Sequence, residues 1–306
     1  MAAFANVEAQ NCPVRPVRLV VNFPAGSGTA DAVARALSEY LTRKWGQPVT
    51  VDNIPGATGL VGAEAAYRAE PDGYTLLVTP AGALTVAQHL QKLAYDPTRF
   101  VPISMLETSP ILLVASPHLA AKTVPELIAY ARANPGKLSV ANHGIGSSSH
   151  LAAEWFRSAA GVKVMHVPFR GSVAALRGLS EGRVDVLFDN LGSSLEPIRN
   201  GQVKALAVAS EKPEPLLPGV QTIAQTLPGF ATSSWVAVVA PPKTPPALVK
   251  WLSGEFANAL HQPQIKQALA DLACEPVGST PEATGAFIRK ESERWKAVIK
   301  DAKISL

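Results

Sequence analysis

Two stretches of small residues hold the hydroxyl, imidazole and carboxylate groups most suited to bind or react. One is Phe23, Pro24, Ala25, Gly26, Ser27, Gly28, Thr29, Ala30 and Asp31; the other runs from Asn142 through His143, Gly144, Ile145, Gly146, Ser147, Ser148 and Ser149 to His150. A serine row ending in histidine invites a hydrolase reading, because a hydroxyl activated by an imidazole is the core of nucleophilic acyl transfer. The G-x-S-x-G turn that would present such a serine is absent, and neighbours in sequence do not define a triad. Neither glycine pair completes G-x-G-x-x-G, and no phosphate loop ending in Gly-Lys-Ser/Thr occurs, so dinucleotide and nucleotide chemistry are not indicated. What the stretches share is a glycine-rich lead into a helix. The first N–H groups of a helix lack intrahelical acceptors and carry the positive end of its dipole, so a carboxylate can dock there without a basic side chain. Small residues let the ligand reach the backbone.

The flanking elements follow from periodicity. Arg18 to Asn22 reads as a strand, and Val33, Leu37, Tyr40 and Leu41 recur at helical spacing with Arg35, Glu39 and Arg43 opposite, ending at Gly46. Further strands are expected at Gln47 to Asp52, Tyr74 to Thr79, Ile111 to Ala115, Leu138 to Asn142, Val164 to Phe169, Val184 to Asn190, Lys204 to Ser210 and Trp235 to Ala240. A glycine-rich turn from Asn53 leads to a helix near Leu60 to Ala69. Thr123 and Glu126 form a capping box before a buried face of Leu127, Ile128, Tyr130 and Ala131. Thr244 is placed to cap a helix at Pro245–Pro246, and Phe287, Ile288, Glu291, Trp295, Val298 and Ile299 share one phase of a terminal helix. This alternation is that of an α/β sheet, in which ligands bind beyond the C-terminal strand ends. Thr79 and Ala81, Phe169 to Gly171 with Arg170, and Asp189 with Asn190 stand at such ends beside the two stretches.

The chain has 306 residues, 47% of them hydrophobic, which suits two lobes of ordinary size. Its formal charge of +4 permits anionic ligands, but no dense basic run or aromatic interleaving marks a nucleic-acid surface. No apolar run reaches the roughly 18 residues of a membrane helix. Cys12 and Cys274 fit either one bridge or two thiols, and the six histidines show no zinc-like spacing, so no metal and no cofactor are expected. Asp31 either orients a ligand or stabilises a helix start; Asp189 and Asn190 either face the ligand or satisfy a turn; Arg170 either pairs with a carboxylate or stays solvated.

In their order, Val20 to Gly26, Asp31 to Arg35, Asn53 to Gly59, Pro71 to Leu77, Ala133 to Leu138, Gly146 to Leu151, His166 to Gly171 and Phe188 to Asn190 resemble the Bug family of TctC-like receptors of tripartite tricarboxylate transport systems. The resemblance spans Val17 to Ala302. It implies a type II periplasmic-binding-protein fold, with two α/β lobes around a hinged cleft in which two loops hold a carboxylate through backbone groups and waters. The lobes expected are 17–118 with 232–306, and 119–231, after an N-terminal extension or leader remnant at 1–16. Between Pro24 and Asp31 the chain is one residue longer than the usual family loop. The resemblance further implies a periplasmic, non-enzymatic, monomeric receptor that closes on a small carboxylate and presents it to membrane transporter subunits. A sensor kinase is a further candidate partner, and a serine hydrolase working through Ser147 to His150 is the alternative of another class.

Overall fold

The structure, a computed structural model, describes residues 13–26, 28–144, 147–169 and 171–304. The expected ligand residues Ser27, Gly146 and Arg170, most of the expected N-terminal extension, and Cys12 with its pairing lie outside them.

Val17–Val21 (β1) leads into Gly28–Trp45 (α1), followed by Val49–Asn53 (β2), Leu60–Tyr67 (α2) and Thr75–Pro80 (β3). β1 lies between β2 and β3, parallel to both. Its alternation decides the packing: Leu19 and Val21 face α1 through Val33, Leu37 and Leu41, whereas Val20 faces Ala63, Leu77 and Trp235 on the other side. α1 stops at Gly46, whose φ of +64° suits glycine.

Val101–Ala115 (β4) is the pivot of the sheet. It is followed by Val124–Ala133 (α3), Leu138–Asn142 (β5), Ser148–Ala160 (α4), Val164–Pro168 (β6), Ser172–Ser180 (α5), Val186–Asn190 (β7), Leu191–Arg199 (α6) and Lys204–Val208 (β8). The chain then returns through Ser233–Ala240 (β9), Pro246–Leu260 (α7), Pro263–Ala270 (α8), Glu275–Pro276 (β10) and Pro281–Ala302 (α9). The strand order is β2-β1-β3-β9-β4-β7-β5-β6, with β8 and β10 also pairing β4. Residues Val101 to Pro110 of β4 run antiparallel to β9, and Ile111 to Ala115 run antiparallel to β7. One 15-residue strand thus joins two sets of parallel strands, β2-β1-β3 and β7-β5-β6. Around the second set, Ile111, Leu113, Phe156, Phe188 and Phe230 fill one face and Leu112, Val114, Leu176 and Leu187 the other.

Several local expectations need correction. The strand expected at Ile111 to Ala115 starts ten residues earlier, because β9 pairs with a segment whose buried Ser104, Glu107 and Ser109 disguise it in sequence. Thr244 does not cap α7: its hydroxyl donates to the Pro241 carbonyl, and Pro245 holds the cap position. Tyr130 is exposed, and Val124 takes its place on the buried face of α3. The Thr123 cap does form, with Glu126 accepting from the Lys122 N–H at 2.8 Å. α9 packs on more than the first strand set. Trp295, Val298 and Ile299 also cover Leu151 of α4, and Arg157 of α4 donates to the Ala302 carbonyl at 2.5 Å.

Candidate functional site

α1, α4, α5 and α6 all start at C-terminal ends of parallel strands, directly after β1, β5, β6 and β7. Four positive helix ends are therefore held at strand ends, as a backbone anion site requires. β4 sets their spacing. Thr29 Oγ1, at the start of α1, donates to Glu107 Oε1 at 3.0 Å, and Asn190, at the start of α6, is the register partner of Ile111 only four residues along.

The first loop is latched from within. Asp31 is buried, and its carboxylate accepts from the Gly26 N–H at 2.8 Å, Asn53 Nδ2 at 2.8 Å, Arg35 Nε at 2.8 Å and Arg35 Nη2 at 3.0 Å. Burial alone would raise its pKa, but these hydrogen bonds outweigh burial and hold it below the ordinary carboxylate range. Asn53 Nδ2 also donates to the Phe23 carbonyl at 3.0 Å, so one amide ties both ends of the loop. On the far side Asn22 Nδ2 donates to the Gly59 carbonyl at 3.0 Å, and a Cβ at Gly62 would lie 2.9 Å from Asn22 Cα. Asp31 thus shapes the loop, while Pro24, Ala25, Gly26 and Gly28 are exposed around it.

The second loop is built the same way. Asn142 is buried and its Oδ1 accepts from the Gly144 N–H at 3.0 Å; its carbonyl accepts from the Phe169 N–H at 2.8 Å. Ser147 caps α4, accepting from the His150 N–H at 3.2 Å and donating to the Gly144 carbonyl at 2.7 Å. Asp189 is a second buried latch. It accepts from Ser172 Oγ of α5 at 2.5 Å and Ser194 Oγ of α6 at 2.9 Å, and His143 Nε2 stands 3.4 Å from its other oxygen. Burial pushes the His143 pKa down and Asp189 partly restores it.

Of the other expected ligand residues, Thr79 is buried and donates to the Pro80 carbonyl, Ala81 packs at the end of β3, Phe169 lies against Gly178, and Gly171 and Asn190 precede α5 and α6. Ser148 opens α4 partly exposed, and Ser149 is buried with no hydrogen bond to its hydroxyl. The described residues show no hydrogen bond from these serine hydroxyls to an imidazole.

One constellation was not legible from spacing. His150 and Glu154 of α4 meet His166 of β6, with ligating atoms all within 4.8 Å of one another. Arg157 donates to both Glu154 oxygens, at 2.9 to 3.1 Å, and His166 Nε2 contacts Oε1. Burial would raise the Glu154 pKa, but His166 and Arg157 bring it down to about 2. Burial pushes His150 down, and His166 adds to that. The carboxylate charge is already matched by a guanidinium, so the trio reads as an ionic tie between the second loop and β6. Asn53, Arg35, Ser172 and Ser194 were not among the expected site residues, and His143 was expected only as a member of the second stretch. The i,i+4 spacing of Asp31 and Arg35 was a signal for one of them.

The chain matches the tripartite tricarboxylate transporter family receptor, TctC, over residues 33–304. Among solved structures it is similar to an R. palustris protein with adipate, at 34% identity and TM-score 0.85, covering 96% of this chain and 99% of that one. The periplasmic binding protein BugD matches at 33% identity and TM-score 0.82, with 96% and 99% coverage. MatC from Rhodopseudomonas palustris with bound malate matches at 34% identity and TM-score 0.82, with 94% and 99% coverage. With its strand-end loops set around one crossing strand and its sequence matched almost throughout, the chain belongs to the tripartite tricarboxylate transporter receptor family, a family of solute-binding receptors with the periplasmic-binding-protein fold.

Proposed function

We propose that this receptor works in the periplasm, captures a small carboxylate between two lobes, 17–118 with 232–306 and 119–231, and delivers it as a monomer to the membrane subunits of its transporter. The observation that carries this reading is the pair of latched loops. Asp31 with Asn53, and Asn142 with Asp189, use their side chains to fix loop shape, which leaves helix-start N–H groups as the donors for an anion. Arg35, the basic residue nearest the first loop's carboxylate, is engaged by Asp31. Ligand contacts with both lobes supply the differential affinity that favours a closed form. The adipate and malate named for two relatives support a dicarboxylate as first choice. Binding requires no chemistry, and Ser147, committed to capping α4, is unsuited to act as a nucleophile.

Calorimetry with mono-, di- and tricarboxylates, beside a sugar and a cationic amine, tests the reading. At least one carboxylate is expected to bind and the controls to fail; tight sugar or amine binding with no carboxylate response would overturn it. Ligand-dependent capture of a sensor-kinase receptor domain would add signalling to the role.

A further inference from the structure

Glu107 has no part in the latches described above, yet it sits beneath the first loop. It lies on β4 at the irregularity between Met105 and Glu107, where the strand shifts register against β9, and it is fully buried. Its Oε1 accepts from Thr29 Oγ1 at 3.0 Å, while Oε2 is buried without a hydrogen-bond partner. A buried ionised carboxylate demands a counter-charge or several donors. Among the described residues no basic side chain forms an ion pair with Glu107. Besides Thr29, the side chain that meets Glu107 is the Cys274 thiol, a weak donor that does not replace a counter-charge. A neutral acid with one accepting oxygen meets these surroundings better than an anion does.

Resting on the carboxylate reading above, we propose that Glu107 is a positioning residue of the first anion loop, which holds Thr29 through an uncharged carboxyl and takes up a proton when a carboxylate docks at the start of α1. Burial pushes Glu107 up to about 7, so in the free receptor it is partly ionised at neutral pH. A bound anion beside Thr29 disfavours that ionised form, and by reciprocity the proton strengthens anion binding. Affinity is therefore highest below about pH 7 and falls as Glu107 ionises.

The groups on α1, β9, β10 and the second loop do not produce this dependence. On α9, which also packs on β4, buried Glu291 is pushed up by burial but engaged by Arg294 at 2.5 Å, so that Glu107→Gln separates its titration from that of Glu107. On α1, Asp31 is held low by its hydrogen bonds and stays ionised throughout, balanced by Arg35. Cys274, before β10, is pushed up by burial and by the Glu107 charge and stays a thiol. From β10, Glu275 is exposed and aligned with Thr108, and from β9 the register partner of Glu107 is the apolar Val236. His143 and His150 stand on the second loop, and burial pushes both below the ordinary imidazole range.

The test is calorimetry of malate and adipate from about pH 6 to about pH 8.5, in buffers of different ionisation enthalpy, on the wild type and Glu107→Gln. The wild type is expected to lose affinity on the order of tenfold over that range and to take up a fraction of a proton per ligand near pH 7.5. Glu107→Gln is expected to bind with little pH dependence and no such uptake. Thr29→Val, which removes the hydroxyl that meets Glu107, is expected to bind several-fold more weakly at about pH 6 while keeping proton uptake. Identical pH profiles and uptake in the wild type and Glu107→Gln, or unchanged affinity in Thr29→Val, would overturn the inference alone. Where neither acid binds, the mono-, di- or tricarboxylate that does bind takes their place in the same titrations, and failure of that whole panel at every pH would remove the carboxylate reading and this inference with it.

Discussion

Asn53 Nδ2 lies 2.8 Å from Asp31 Oδ1 and 3.0 Å from the Phe23 carbonyl, so the end of β2 closes the loop that follows β1. Replacing Asn53 by Ala leaves Asp31 with one donor fewer and frees the Phe23 end. We expect ligand affinity to fall about tenfold and stability by about 1–2 kcal/mol, read by calorimetry and urea unfolding. Asp31→Ala is expected to cost more on both scales, because the buried latch loses Gly26 and Arg35 as well. Affinity unchanged in both variants would remove the latch from the account of the site.

Gly192, in the first turn of α6, packs directly on the Leu272 carbonyl in the turn before β10, where any Cβ would overlap that backbone. Backbone cannot rotate aside as a side chain does. Gly192→Ala is expected to destabilise by about 1–3 kcal/mol, with a Tm several degrees lower in calorimetric scans. A variant as stable as the wild type would show that α6 and this turn are free to separate.

Glu154 is expected to dominate an acid-sensitive step. Its folded pKa of about 2 lies below the ordinary value of 4.5, so its contribution is present above pH 4.5 and is lost as pH falls toward 2. Between about pH 5 and about pH 2.5 the wild type should lose ~2–3 kcal/mol more stability than Glu154→Gln, measured by urea unfolding at each pH. Parallel losses in the two proteins would contradict the assignment.

Ser148 opens α4 with its neighbours already engaged in capping and packing. The wild type is expected to turn over none of a panel of p-nitrophenyl esters above the buffer rate, and Ser148→Ala to behave identically. Ester turnover lost in Ser148→Ala would instead establish the hydrolase alternative.

The two small-residue stretches, the parallel strands before them and the helices after them were legible because each depends on local rules. Short runs of β-branched and apolar residues bounded by turn signals marked β1, β3 and β5 to within a residue or two at their ends, and helical spacing marked the buried stripe of α1. The family motifs were legible for the same reason, since each is contiguous. The first ten residues of β4 were not, because Ser104, Glu107 and Ser109 are buried by neighbours distant in sequence.

Which backbone segments could bind an anion followed from local composition, since glycine content, strand ends and helix starts are properties of short stretches. The work of the side chains around them came from long-range packing. Asp31 became a latch because Asn53 arrives from β2, and Asp189 became one because Ser172 and Ser194 arrive from two helices. Glu154 met its second imidazole on β6, and Glu107 reached Thr29 across the sheet. The physical reason is range: backbone propensity acts over a few residues, whereas the partners that satisfy a buried charge come from wherever the fold brings them.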